Sequence, residues 1–367
     1  MALENHDNLR KENKNLLSFL KSYGIDIAFV IFCMFLIMYY GSFISVLKVP
    51  SHDGTVYLMN AHDWLNNEPL DENYRPPLIS WIIAGIWYIT GESWVLVKGL
   101  QAVFTVSAGV VLYILLRKYK GNTFAFGVST LTMINGPVFY FSTQILTEGL
   151  SLFFLVLSMY FLKSRKEKYW FLAGITIALT FASRYPVFLQ AVAIFVVETI
   201  LSKKPKLALR TISSGVPAIV LIALIVYLKA GTFTTALSKD TTVSLLLSPY
   251  YLVNSINIWG LPFLLVPLAF LYRRTYADRF NYSFIVWFIV SLLFWSASSG
   301  NWQFRFAIQY TPAVYFLSIL AIENIVKSGI SINSTIVSYS SEIRSRLKLI
   351  KRVSKYELFG DFGDKEL

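Results

Sequence analysis

Cysteine occurs once, at Cys33, inside an apolar run. Disulfides within the chain, cysteine-rich zinc sites and dithiol redox chemistry are therefore excluded. Charge is also scarce. Only 15% of the 367 residues are Asp, Glu, Lys or Arg, against about 25% in an ordinary soluble domain. Hydrophobic residues make up 55% and aromatics 16%. So little charge cannot cover that much apolar surface in water, which excludes a soluble enzyme and indicates an integral membrane protein. No tandem repeat and no low-complexity segment is visible, which argues against a solenoid or a disordered linker.

The net charge is +12. A nucleic-acid surface would gather the basic residues on one face with aromatics between them. Here they stand in short clusters between apolar runs, a pattern that reports membrane orientation, and no nucleic-acid partner is expected.

A helix needs about 20 apolar residues to cross the hydrocarbon core. Ten runs qualify as candidates, at 25–47, 94–116, 123–141, 147–162, 168–182, 187–202, 209–229, 256–272, 281–297 and 308–326. A further apolar run, 77–90, has only 14 residues and suits an interfacial or re-entrant helix. Leaving that run out of the membrane, with the N-terminus inside, puts 26 of the 33 Lys and Arg on the inner side. The positive-inside rule predicts that asymmetry.

The expected architecture is all-α and polytopic, with about ten transmembrane helices and both termini cytoplasmic. Residues 1–24 form a cytoplasmic segment and 25–326 the membrane domain. A long first outer loop over 48–93 carries juxtamembrane helices, a second long outer loop covers 230–257, and 327–367 form a basic cytoplasmic tail. The first run is read as a retained anchor. The tail is either a helix on anionic lipid or a solvated segment.

The first outer loop is rich in polar chemistry, including His52, Asp53, Tyr57, His62, Asp63, Glu68, Glu72, Tyr74 and Arg75. Asp53 is placed to cap a helix beginning at Gly54, or to serve as a partly desolvated general base at the membrane surface. Arg75 precedes Pro76, Pro77 and the short apolar run, at headgroup depth. It suits a lipid phosphate, or simply snorkels to the interface. Glu148, Arg184 and Arg305 fall at the outer ends of other candidate spans. Ionisable groups at that depth are functional candidates, or ion pairs that hold helix ends.

The order of motifs resembles the polyprenyl-phosphate-sugar-dependent glycosyltransferases of the GT-C fold. The closest likeness is to the dolichyl-phosphate-mannose protein mannosyltransferase-like superfamily, which includes the lipid A aminoarabinose transferases. The motifs are His52-Asp53-Gly54-Thr55-Val56-Tyr57, Tyr74-Arg75-Pro76-Pro77-Leu78, Leu146-Thr147-Glu148, Ser183-Arg184-Tyr185-Pro186, and Arg305 ahead of Tyr310-Thr311-Pro312.

The resemblance implies a GT-C-like bundle and an inverting glycosyltransferase. A hexose, mannose or similar, would pass from a polyprenyl or dolichyl phosphate to an acceptor hydroxyl on the outer face. In such enzymes an early aspartate is the base, which matches Asp53, and Glu148 matches a second acidic position. Arg75, Arg184 and Arg305 would hold the donor phosphate. His52, Tyr57, Tyr74 and Tyr185 would line the substrates.

The acceptor would be a protein, a glycolipid or a lipid-linked glycan, in a plasma membrane (or an ER membrane if the source is eukaryotic). Gly54 departs from the relatives' usual Asp-Glu pair. Tyr74 stands where the aminoarabinose branch has a metal-binding glutamate, so no metal is carried over and no cofactor is expected to be required. A secondary transporter and a non-catalytic lipid-binding subunit on the same scaffold are the competing readings.

Overall fold

The computed structural model describes residues 2–44, 50–70, 72, 74–164, 166–231, 255–297 and 308–328. Among these residues there is no strand, and each of the ten apolar runs contains helix. The second outer loop falls almost wholly outside the described residues, as do Arg305 and the basic tail.

Four stretches are long and apolar enough to cross a membrane by length and composition. They are Tyr23–Ile44 within α1 (Ala2–Ile44), α4 (Trp94–Lys120), α9 (Tyr185–Ser202) and α10 (Pro205–Ala230). A fifth arises if α5 (Asn122–Ile134) and α6 (Gly136–Ser142), bent by 59°, count as one span. Asn135 makes the break, with extended-type dihedrals of −56° and 129° and a side chain that caps α6.

The other runs form shorter helices. They are α7 (Glu148–Leu162), α8 (Glu167–Ser183), α11 (Leu261–Leu271), α13 (Asn281–Ala297) and α14 (Thr311–Lys327), with the one-turn α12 (Arg273–Ala277) between α11 and α13. Helices of 15–17 residues reach roughly 22–26 Å, short of the roughly 30 Å hydrocarbon thickness. By length and composition alone, four or five helices among the described residues meet the spanning criterion on their own.

Lipid offers helices no hydrophobic drive to associate, so close packing and interhelical hydrogen bonds must do it. α8 and α10 supply both. A Cβ on Gly174 would lie 2.2 Å from the Thr211 carbonyl and 2.8 Å from the Gly215 nitrogen, so the two backbones touch there. Thr211 Oγ1 donates to the Trp170 carbonyl at 2.9 Å and Ser214 Oγ to that of Phe171 at 2.6 Å. Ser158 Oγ donates to Thr176 Oγ1 at 2.9 Å, joining α7 to α8. Tyr40 Oη donates to the Met133 carbonyl at 2.9 Å, joining α1 to α5. Phe284 and Phe316 stack at 3.8 Å between α13 and α14.

The charges divide between the two ends of the bundle. At one end, ion pairs join Lys163 to Glu198 at 2.5 Å, Lys120 to Asp278 at 2.6 Å, Arg117 to Asp26 at 2.8 Å and Arg210 to Glu167 at 3.3 Å. These belong to the basic clusters that the sequence assigns to the inner side. α7 leads from that end to the other, where Glu148 opens the helix. There it meets α2 (His52–Asn66) and α3 (Leu78–Thr90). α3 has 13 residues, too few to span, and packs on α2 and α8.

Candidate functional site

The site begins with the cap of α2. Ser51 has extended dihedrals and its Oγ accepts from the Gly54 nitrogen at 3.1 Å. Ser51, not Asp53, is therefore the N-cap, and the helix starts at His52 rather than Gly54. The capping alternative for Asp53 is overturned because the serine fills that role. Asp53 sits in the first turn, where a carboxylate is favoured by the helix dipole, and its side chain is left for another partner.

That partner is Arg75. Its guanidinium bonds Asp53 Oδ1 through Nη2 and Glu72 Oε2 through Nε, both at 2.9 Å. Asp53 and Arg75 are mostly buried. The loop between α2 and α3 is pinned for this purpose. Asn60 on α2 donates through Nδ2 to the Glu72 carbonyl at 2.9 Å and accepts from the Glu72 nitrogen at 3.2 Å. Pro76 and Pro77 then turn the chain into α3, with Pro77 at the cap position. Ser80 Oγ ties α3 back to the Tyr57 carbonyl at 3.1 Å.

Burial opposes ionisation of Glu72, but hydrogen bonds from Tyr74 and Arg75 outweigh it and hold its carboxyl below the usual range. Burial likewise works against the Arg75 charge, and its acidic neighbours overcome it and raise its pKa. The Tyr74 ring stands 5.3 Å from the guanidinium, at cation–π range. His52 is exposed and adds positive field at Glu72.

A second pair comes from a separate part of the chain. Arg184 links α8 to α9 in extended backbone. Its Nη1 donates to Glu148 Oε1 at 2.6 Å and to Thr147 Oγ1 at 3.2 Å. Glu148 has no solvent exposure and the Arg184 side chain 10%. A charge this deep is tolerated only with such a partner.

Tyr57 joins the two pairs. It is buried on α2, and its phenol feels Arg75, Arg184, Glu148 and Asp53 together. Burial pushes its pKa up. The two guanidiniums oppose that rise, and the two carboxylates add to it. Tyr185 lies near Tyr57, with a buried hydroxyl that has no hydrogen-bond partner among the described residues.

Asp53, Arg75, Glu148, Arg184, Tyr57 and Tyr185 thus meet at one end of the bundle, with Tyr74 and His52 at the rim. Arg305 lies outside the described residues. Sequence reasoning did not single out Glu72 or Asn60 as site residues. The i, i+3 spacing of Glu72 and Arg75 could have signalled the first, while nothing local marks Asn60.

A cation does not fit beside Asp53 as the residues stand, since Asp53 and Glu72 face a guanidinium that already lies between them. Among the described residues, the three ligand atoms close enough to share an ion are those of His62, Asp63 and Glu68, within 4.8 Å of one another.

The comparisons with known proteins follow this geometry. Residues 74–228 match the family described as dolichyl-phosphate-mannose-protein mannosyltransferase. No curated protein sequence matches the chain significantly. Among solved structures, the fold is similar to that of ArnT from Cupriavidus metallidurans bound to undecaprenyl phosphate. The TM-score is 0.65 at 13% identity, covering 85% of this chain and 61% of that one. It is also similar to the oligosaccharyltransferase of Archaeoglobus fulgidus in its apo form, with a TM-score of 0.57 at 14% identity, over 85% of this chain and 51% of that one. The chain therefore spans little more than half the length of these proteins. It has the GT-C fold, and the segment that carries Arg75, Glu148 and Arg184 matches the mannosyltransferase family.

Proposed function

We propose that the protein transfers a sugar from a polyprenyl-phosphate donor to an acceptor hydroxyl, on the outer face of a plasma membrane. The observation that carries this reading is the pairing of two partly buried arginines, Arg75 and Arg184, with carboxylates around Tyr57. The match of residues 74–228 to a lipid-phosphate-sugar transferase family supports it. So does the likeness in fold to a protein bound to undecaprenyl phosphate. The basic clusters at the opposite end support the outward orientation, with both termini in the cytoplasm.

In the proposed reaction the acceptor oxygen attacks the anomeric carbon as the bond from that carbon to the phosphate oxygen breaks. The configuration inverts, and a hexose such as mannose is the expected cargo. The proton of the acceptor hydroxyl passes to the Asp53 carboxylate. The electron pair of the broken bond leaves with the polyprenyl phosphate, whose added negative charge Arg75 and Arg184 stabilise.

Arg75 has a double part in this scheme. While it holds Asp53 it lowers the basicity of that carboxylate. The donor phosphate competes for the guanidinium and draws it away, so the base strengthens when donor is present. Glu148 is a positioning residue that fixes Arg184. Tyr57, Tyr185, Tyr74 and His52 shape the space for the substrates. No step requires a metal.

The test is native mass spectrometry of the detergent-purified protein with undecaprenyl phosphate added. Wild type should carry the lipid, and Arg75→Ala should lose it. Asp53→Asn should keep the lipid but lose sugar transfer in an assay with a polyprenyl-phosphate sugar. Absence of lipid on wild type would sink the reading. Lipid binding without transfer to protein, glycolipid or lipid-linked glycan acceptors would favour the non-catalytic subunit.

A further inference from the structure

Beside the paired charges, α2 borders a second concavity. It lies between the face of α2 that bears Thr55 and His62, the C-terminal end of α3, and the start of α4. Its volume is about 540 Å³, within the range of small-molecule sites. Thr55, His62, Asp63, Trp87, Glu92 and Trp94 line it. Helical spacing puts Thr55 and His62 roughly opposite Asp53 on α2, so the groove is distinct from the ion-paired site.

Three features set its chemistry. Trp87 is 6% exposed, and its indole Nε1 is buried with no hydrogen-bond partner among the described residues. With no accessible surface, that nitrogen is out of reach of a ligand, and the Trp87 ring serves as an apolar wall. Trp94, by contrast, is 45% exposed, so its ring is available as a stacking surface. The ionisable groups of the lining are the carboxylates of Asp63 and Glu92 and the imidazole of His62. Carboxylates repel phosphates and accept hydrogen bonds from hydroxyls.

A neutral ligand with many hydroxyls and apolar C–H faces matches this lining, whereas an anionic lipid headgroup does not. We infer that the groove is a saccharide subsite, in which Trp94 stacks on a sugar ring and Glu92 and Asp63 accept from its hydroxyls. This deepens the transferase reading and rests on it in one respect, since it makes the acceptor a glycan rather than an unglycosylated peptide. The groove holds a sugar unit away from the reacting hydroxyl.

The test uses the full chain in detergent on an array of mono- to trisaccharides that spans neutral hexoses, N-acetylhexosamines, deoxyhexoses and pentoses. Tryptophan fluorescence titration follows for each hit. Wild type should bind at least one class saturably, with a change in indole emission. Trp94→Ala and Glu92→Gln, both at the mouth of the groove, should each weaken binding by about tenfold or more, the effect of losing one good contact to a charged or stacked group.

Undecaprenyl phosphate binding is measured on the same samples by native mass spectrometry. Lipid retained with no glycan bound overturns the groove and leaves the transferase reading standing. Glycan bound with no lipid does the reverse. Glycan binding that neither variant changes, or quenching by phosphatidylglycerol nanodiscs in place of glycans, also overturns the inference.

Discussion

Gly54 lies against the backbone of Ile145. A Cβ at residue 54 would stand 2.8 Å from the Ile145 carbonyl oxygen, closer than side chains approach. Ile145 is three residues before Glu148, so this contact sets the distance between the two ion pairs. Gly54 is thus the point at which the first outer loop seats on the segment that leads into α7.

Gly54→Ala should therefore push α2 away by a few tenths of an ångström. Overpacking of this kind costs about 1–3 kcal/mol, and small displacements at a reacting centre cost much more in rate. The expected result is a modest loss of thermal stability with sugar transfer reduced by roughly tenfold or more. Transfer rate and melting temperature, measured on the same preparation, check it. Unchanged transfer would show that the spacing does not matter.

The Arg184–Glu148 pair should show strong coupling. Glu148→Leu or Arg184→Met alone leaves one charge buried without a partner, a loss of about 3–5 kcal/mol. The double variant removes both charges and should regain much of that. A thermal-stability cycle over the four proteins tests this, and additive losses would mean that the pair is not coupled.

Acid should loosen the first loop before it melts the bundle. The folded-state pKa of Glu72 lies below its unfolded value, so its stabilisation is fully present above the ordinary carboxylate range. It is lost as pH falls through the depressed folded value. Hydrogen exchange at the amides of Tyr74 and Arg75 should rise over that interval in wild type. In Glu72→Gln it should be high already at neutral pH, with little further change.

The α8–α10 interface should tolerate no side chain at residue 174. Gly174→Val places methyl groups against the Thr211 carbonyl and should lower stability by at least about 2 kcal/mol. The site residues are untouched by design, so any folded fraction should still bind undecaprenyl phosphate. Full stability of this variant would mean that the two backbones do not meet.

Much of this was legible in the chain. Each of the ten apolar runs contains helix, because period and apolar content are local properties, whereas the polar residues 2–22 of α1 were not read as helix. Asp53, Arg75, Glu148 and Arg184 stood out because charge at membrane depth is costly. Their partners did not. That Arg75 reaches Asp53 and Arg184 reaches Glu148 depends on how α2, α7 and α8 pack, and pairing across 22 or 36 residues leaves no local trace. Ser51 as the cap was obscured by the adjacent Asp53, which suits the same role. Two runs, 123–141 and 256–272, were read as unbroken since hydropathy alone does not see the break at Asn135 or the turn at Gly260.

The two pairs also have an order in time. Synthesis delivers Asp53 and Arg75 within one loop, so that pair closes soon after α3 is made. Glu148 enters the membrane 36 residues before Arg184 exists to meet it. The second pair therefore forms only once the segment after α8 is in place, so the site is completed late in assembly.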